Sequence, residues 1–496
     1  MIMKTDDLKK DMMRLWKDTF HDSDEYIRIV FDAYFNPEFV ECETVGDKLV
    51  AAMLAVPYEF GSKRNRIRGA YLCGLATRPE YQGRGVMTRL INRICSRMKN
   101  KGFSFVFLIP ADEGLHKFYL DRGFVNAFYR LQSNYVPGHD FTNEYFNHLD
   151  TERKIIGDLK KKYYNSLETH YIERYIMNNL DDDIAGYLYN LERNNAGNVC
   201  HNIYAVCHNI PNVLSYNVEE ISEYNLENSD LGYTDKHNEK YTLIIEKYID
   251  IIYKIISKIS ALQSDYKFLK ICKSEKQIIT EIIENLISNG RIYYCINSDE
   301  NIASVAFVSI HDDAIIINKI YSGDRCSCIR ILESIKNDFP ESKLKLYYSS
   351  SENGREAIWN YNYINSGEVD GNYGLLSEVE VDYNTSCSSE VYGMARILDF
   401  SEILKFLCNE AGLLNFSILV KEPENGNFTR YSVKDELIRI ESLSEDEILK
   451  GSINIEEAMT PEELAALLFR RSDSSSLLAD AFGFPPLEGS ISLMLD

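Results

Sequence analysis

The sequence predicts an α+β protein of mixed helix and strand, and three observations carry that prediction. Helical spacing and short extended runs interleave along residues 1–136, with antiparallel strands followed by a strand–loop–helix–strand crossover. A similar order of helix, strands, helix and strand returns over 264–383. From Tyr392 a further unit begins, with one helix, two strands and a second helix that carries its own start signal.

In the first unit Leu8, Met12, Leu15 and Trp16 recur at helical spacing, as do Tyr26, Ile29, Val30 and Ala33, until Pro37 breaks the pattern. Two extended runs follow, Leu49–Val56 and Ala70–Thr77, separated by the basic loop Gly61–Arg68 as in a hairpin. A turn with Gly83 and Gly85 then opens a helix whose apolar positions are Val86, Leu90, Ile91, Ile94, Cys95 and Met98, and which stops at Gly102. The apolar run Phe103–Ile109 reads as a buried strand, Glu113–Asp121 as a short helix, and Phe128–Val136 as a closing strand.

Residues 137–263 change character. They are rich in Asn, Tyr, Asp, Lys and Ile, and read as a helical insertion or connector that assembles no chemistry. The second unit, 264–383, has a helix at Glu275–Ser288 and strands at Arg291–Asn297, Ile302–Ser309 and Ala314–Tyr321. A helix over Arg325–Asn337 and a strand at Lys343–Tyr348 follow, but the turn before that helix, SGDRCSC, lacks the earlier glycine spacing. The third unit, 384–496, has a helix at Phe400–Ala411 and strands at Phe416–Lys421 and Phe428–Ser432. Its last helix starts with Thr460 as N-cap, Pro461 at the first position and Glu463 three residues on. Ile491, Leu493 and Leu495 alternate with Ser492 and Met494, so the terminal residues read as a docked strand.

Composition narrows the function classes. The chain has 496 residues, 45% of them hydrophobic, and 76 acidic against 54 basic residues leave a net charge of −22. That field disfavours a nucleic-acid partner and suits a cationic one. The apolar runs are too short to span a bilayer, and the charged opening after Met1 is unlike a cleavable leader, so no membrane role and a cytoplasmic setting are expected. Eleven cysteines, an odd number without a CxxC pair, fit reduced thiols. Cys200-His201 and Cys207-His208 recur in CHNIYAVCHNI, but at a spacing that fits no common zinc finger; a local duplication is preferred and no metal is expected.

The sharpest local feature runs from Leu75 to Leu90: a strand end, a turn with Pro79, then Gly83-Arg84-Gly85 opening an amphipathic helix. Glycines let backbone approach a ligand, and the first N–H groups of a helix have no partner within it, so such a start binds anions. It is neither a Walker loop, since no GKS or GKT follows, nor the dinucleotide fingerprint, since Thr88 stands at the third glycine position. On residue type alone Tyr119 is an aromatic packing a short helix, one of 34 tyrosines.

The segment Arg78-Pro-Glu-Tyr-Gln-Gly-Arg-Gly-Val-Met resembles the acyl-CoA loop of the GNAT N-acetyltransferases, pattern Q/R-x-x-G-x-G/A: Gln82 and Gly85 match and Met87 departs from it. Downstream, Phe118-Tyr-Leu-Asp-Arg-Gly-Phe124 resembles the same family's F-Y-x-x-x-G-F signature. Outside roughly 140–260, the whole chain resembles the enhanced-intracellular-survival (Eis) type. That resemblance implies a catalytic GNAT domain over 1–136, the 137–263 connector, a degenerate second GNAT-like domain over 264–383, and a sterol-carrier-protein-like domain over 384–496. The run Gly393–Phe400 and the docked terminus are what the third domain would contain.

By the same resemblance the co-substrate is acetyl-CoA. Leu75, Ala76 and Thr77 would face the pantetheine and thioester, with Gly74 marking the bulge that splays this strand. Gly83, Arg84, Gly85, Val86, Met87 and Thr88 would cradle the pyrophosphate, with the Met87 side chain turned away; Gly114 and Leu115 would flank the CoA arm. Tyr119 would be the general acid and the terminal carboxylate of Asp496 the general base. His116, one turn before Tyr119, is expected on the solvent or CoA side, and Asp24, Glu25, Asp32 and Glu41 lie near the elements that usually wall the acceptor site. The acceptor would be a primary amine of the aminoglycoside, polyamine or lysine kind, and the assembly a homo-oligomer, a hexamer in this family. The alternative is a non-catalytic binder of acyl-CoA or an apolar ligand on the same scaffold.

Overall fold

The computed structural model describes residues 5–61, 65–134, 203–205, 251–263 and, with short gaps, 269–349, 388–469 and 489–490. The expected mixed α+β class is found. Two helices, α1 (Thr5–Phe20) and α2 (Asp24–Tyr34), lead into β1 (Val40–Val45), β2 (Lys48–Gly61) and β3 (Arg66–Thr77). Then come α3 (Val86–Asn100), β4 (Phe105–Leu108), α4 (Glu113–Leu120) and β5 (Val125–Asn134). Strands β1, β2 and β3 pair antiparallel in turn, and β4 joins β3 in parallel through the α3 crossover. All six apolar positions read for the α3 helix are buried, against one face of β2 and β3. The opposite face carries α1 and α2, through Met12, Leu15, Trp16, Ile27, Val30 and Phe31.

After β6 (Ile203–Ala205) and β7 (Leu269–Cys272), the order repeats. The helix Glu275–Ile287, with a capping box between Ser274 and Gln277, precedes β8 (Arg291–Ile296), β9 (Ile302–Ile310) and β10 (Ala314–Ser322). These strands are antiparallel neighbours, and β11 (Lys343–Ser349) lies parallel to β10 after the helix Arg325–Asp338. Gln277 Nε2 donates to the Pro57 carbonyl at 3.0 Å, tying the second unit's helix to β2 of the first.

Long-range pairing joins the units into one sheet. β12 (Ser388–Ile397) lies between β4 and β5, antiparallel to both, with Met394 opposite Leu108 on one side and Asn126 on the other. The sequence reading groups Gly393–Phe400 with the third unit, yet its strand completes the sheet of the first. β16 (Gly489–Ser490) runs parallel between β5 and β7, and β7 pairs with the end of β2. The path β4–β3–β2–β7–β16–β5 therefore closes through β12. Phe60 meets Phe105 at 4.9 Å, Phe107 at 5.3 Å and Phe128 at 6.2 Å, contacts that cross between strands not paired to one another and fill the circuit. The first two are edge-to-face and the third is stacked, and such aromatic contacts add to the burial of large apolar rings.

The third unit has the helix Phe400–Ala411 and a separate antiparallel sheet of β13 (Phe416–Lys421), β14 (Phe428–Lys434) and β15 (Leu437–Leu443). The helix Pro461–Leu468 has the expected capping box, Glu463 N–H to Thr460 Oγ1 at 3.1 Å and Thr460 N–H to Glu463 Oε2 at 2.8 Å. Leu464, Leu467, Leu468 and Phe469 join the core beneath β4 and β5. The described part of the third unit thus packs directly on the first. Most of the 137–263 connector, the Cys200-His201 and Cys207-His208 pairs and residues 491–496 lie outside the described residues.

Candidate functional site

The site is built where β3 ceases to be paired. Its parallel ladder with β4 runs from Gly69↔Phe105 to Tyr71↔Phe107 and stops there. On the other side the register with β2 shifts between Leu54↔Cys73 and Ala52↔Ala76, leaving one more residue on β3 than on β2. That bulge holds Gly74 at φ +60, and a Cβ there would stand 2.2 Å from the Trp16 ring. A bulge needs a residue tolerant of positive φ, and this one also needs the absence of a side chain for α1 to close over it. Leu75, Ala76 and Thr77 therefore follow the bulge along a strand edge that β4 does not cover.

The turn after β3 is held from several sides. Arg78 N–H donates to the Val50 carbonyl and its Nε to the Leu49 carbonyl, each at 2.9 Å; Gln82 Nε2 donates to the Thr77 carbonyl at 3.0 Å. Gly83 and Gly85 both take φ +70. A Cβ at Gly83 would meet nothing within 4 Å, so open space lies before it. Arg89 N–H closes onto the Gly85 carbonyl, and among the described residues no backbone acceptor takes the N–H groups of residues 83–88. Such a run at a helix start is a preformed anion seat. Thr77 Oγ1 is fully buried without a hydrogen-bond partner, a polar atom that a ligand along β3 would satisfy. The Met87 side chain packs against the α3-side core, so its size does not intrude on the seat.

α4 supplies the second half. Asp112 caps it, its Oδ1 accepting the Leu115 N–H at 2.7 Å, and Gly114 and Leu115 occupy the exposed first turn. The helix ends at Gly123, φ +78, where Phe124 N–H donates to the Tyr119 carbonyl. Tyr119 is 6% exposed, packed edge-on against Phe118 at 5.3 Å and Phe124 at 5.7 Å, in the core cluster that holds Val86 and Leu90 of α3. Its hydroxyl makes no hydrogen bond among the described residues. Burial pushes the phenol up to about 12; the charge of Arg122 pulls it down and that of Asp112 pushes it up. His116 turns to β5, where its Nε2 meets Asn126 Oδ1 at 2.7 Å.

Thr77 and Gly83–Thr88 thus lie along one turn tied by Gln82, and Tyr119 shares a core cluster with Val86 and Leu90 of α3, while Asp496 lies outside the described residues. Glu41 does not face an acceptor: it is buried and held by Arg93 at 3.1 Å and Arg97 at 2.5 Å from α3. Asp32 pairs with Lys9 at 2.7 Å, and Asp24 pairs with Lys17. Sequence reasoning missed Arg122, whose Nε donates to Thr88 Oγ1 at 2.9 Å and links the end of α4 to the first turn of α3. The signal was its place three residues after Tyr119. Among the described residues no cluster of three or more His, Cys, Asp or Glu is arranged to hold a metal ion. No helix among them is long and apolar enough to cross a membrane.

No curated protein matches the chain. Among solved structures, a GCN5-related N-acetyltransferase from Anabaena variabilis is similar at TM-score 0.51 and 10% identity, covering 98% of this chain and 95% of that one. That likeness is one of fold alone. A GCN5-related N-acetyltransferase from Kribbella flavida is similar at TM-score 0.49 and 12% identity over 100% and 98% of the two chains. Eis1 from Mycobacterium abscessus is similar at 0.49 and 7% over 97% and 92%. The unit that carries the glycine turn and the α4 tyrosine also matches a known domain family, described as acetyltransferase (GNAT) domain, over residues 3–126. Residues 3–126 are accordingly an acetyltransferase domain of the GNAT family.

Proposed function

We propose that the protein is an acetyl-CoA-dependent N-acetyltransferase that acetylates a primary amine by direct attack on the thioester. The observation that carries this reading is the run of unpartnered N–H groups at Gly83–Thr88, set beside the uncovered edge of β3. Those groups hold the diphosphate. Leu75, Ala76 and Thr77 offer backbone and the orphaned Thr77 hydroxyl to the pantetheine arm, and Gly114 and Leu115 border it. The acetyl donor supplies an activated carbonyl and a sulfur leaving group.

The amine nitrogen attacks the carbonyl carbon, the C–N bond forms, and the C–S electron pair passes to sulfur. Tyr119 gives its phenol proton to that sulfur. The ammonium acceptor first gives one proton to the terminal carboxylate of Asp496, which frees the nitrogen to attack; the second proton leaves the nitrogen for solvent, from which the phenolate is reprotonated. β16 runs to Ser490, opposite Lys270, six residues before that terminus. The acceptor is a cationic amine of the aminoglycoside, polyamine or lysine kind, in keeping with the net charge of −22. The second unit acts as a non-catalytic GNAT-like domain: it repeats the order of the first, including a register shift on β10 between Ile317 and Lys319. The third unit is of the sterol-carrier-protein type, and the working form is a cytoplasmic homo-oligomer.

The test is thiol release from acetyl-CoA with kanamycin, spermine and a lysine peptide as acceptors, on the native chain and on one extended by a short C-terminal tag. Amine-dependent release that falls by about 100-fold on extension supports transfer with the terminal carboxylate as base. Acetyl-CoA binding without release for any amine favours the alternative, a binding protein on the same scaffold.

A further inference from the structure

The cations around the start of α3 differ in what opposes them. Arg78 reaches Asp18 at 3.4 Å and Arg89 binds Glu43 at 2.6 Å; Arg93 reaches Glu41 at 3.1 Å and Glu43 at 3.4 Å. Arg84 lies over the Tyr81 ring at 5.4 Å. Arg122 is held by neutral partners and has no counter-charge against it. Its Nε donates to Thr88 Oγ1 at 2.9 Å, its Nη1 donates to the Phe118 carbonyl, and its guanidinium stacks 3.3 Å from the centre of the Phe118 ring. Among the described residues no carboxylate pairs with it, Asp121 and the Tyr119 phenol acting only at a distance, and Nη2 has no partner. A half-buried guanidinium fixed by stacking and two hydrogen bonds, with a donor edge uncommitted, is costly in the empty protein and favourable once an anion arrives. Thr88 stands in the turn whose N–H groups are unpartnered. Its oxygen accepts from Arg122, so its own O–H remains to be donated.

We propose that Arg122 is the side-chain cation of the diphosphate seat, holding the Thr88 hydroxyl as a donor to acyl-CoA and presenting Nη2 to the same diphosphate. This rests on the acyl-CoA reading of the site. It adds to the glycine turn a residue from α4, so that the helix carrying Tyr119 is itself drawn onto the bound cofactor.

The test is calorimetric titration of the full chain with acetyl-CoA and, separately, with S-acetylpantetheine, which carries the thioester and lacks the diphosphate. Arg122→Gln is expected to weaken acetyl-CoA binding about tenfold and to change S-acetylpantetheine binding by less than about twofold. Arg122→Lys recovers part of the loss, because it restores the charge without the fork. Thr88→Val, which removes only the hydroxyl, weakens acetyl-CoA about threefold and adds nothing to Arg122→Gln. Unchanged acetyl-CoA affinity in Arg122→Gln overturns the proposal, as does an equal loss for both ligands, which marks a purely structural role. A native chain that fails to bind acetyl-CoA overturns the parent reading instead.

Discussion

Tyr119→Phe is expected to lower turnover by about 100-fold or more while leaving acetyl-CoA affinity within about twofold. The phenylalanine ring keeps the edge-on contacts with Phe118 and Phe124, so the packing of α4 survives and only the hydroxyl is lost. That hydroxyl has no partner among the described residues, the state of a donor kept for a ligand. With the phenol pushed up to about 12 by burial, it is protonated throughout the neutral range. The sign for the pH profile follows. Tyr119 acts in its protonated form, so it imposes no loss of turnover below about pH 11, and a basic limb near pH 8 would belong to another group. A free thiol ionises near 8.5, so a phenol of about 12 is a weak acid toward it; burial of the thiolate raises sulfur's affinity for the proton and narrows that gap. Steady-state rates over pH 6–10 for the native chain and Tyr119→Phe check both statements. Equal rates would remove Tyr119 from the mechanism.

The second large effect is on binding. Gly85→Val is expected to weaken acetyl-CoA by on the order of 100-fold, with a smaller cost to folding. Gly85 caps α3 at φ +70, a conformation that costs an ordinary residue roughly 1–2 kcal/mol and a β-branched one more. The added branches also stand beside the N–H groups that would meet the diphosphate. Titration with acetyl-CoA, paired with thermal unfolding, separates the two consequences. A valine variant that binds as the native chain does would mean that the ligand sits elsewhere.

How far the architecture was legible depends on the range of the interactions involved. The α3 helix was readable to the residue on its buried face, because Val86, Leu90, Ile91, Ile94, Cys95 and Met98 follow one helical stripe. The capping box at Thr460 was equally plain, since both its bonds are made within four residues. β12 was not legible as part of the first sheet. Its partners, Phe105–Leu108 and Val125–Gln132, lie far upstream, and nothing local in Tyr392-Gly-Met-Ala says which edges it will bridge. The short β1 and the outer strand β15 were also missed, the latter because it is largely exposed and its alternation of Ile438 and Ile440 with Arg439 and Glu441 is short.

In the site, the glycines and Tyr119 announce themselves through spacing. Gly74 shows only its permissiveness in sequence, and its contact with Trp16 needs the fold. Arg122 reads as one charge among many. Its meaning comes from Thr88, which lies 34 residues away along the chain and one hydrogen bond away in space.

The central claim is that the backbone after Tyr81 grips an acyl-CoA diphosphate, and amide hydrogen exchange at residues 83–88 tests it most directly. Without ligand these N–H groups lack backbone acceptors and are expected to exchange quickly. Saturating acetyl-CoA should slow them by about tenfold or more, with little change on the β13–β15 sheet. Exchange at 83–88 that stays fast when acetyl-CoA is bound would contradict the account.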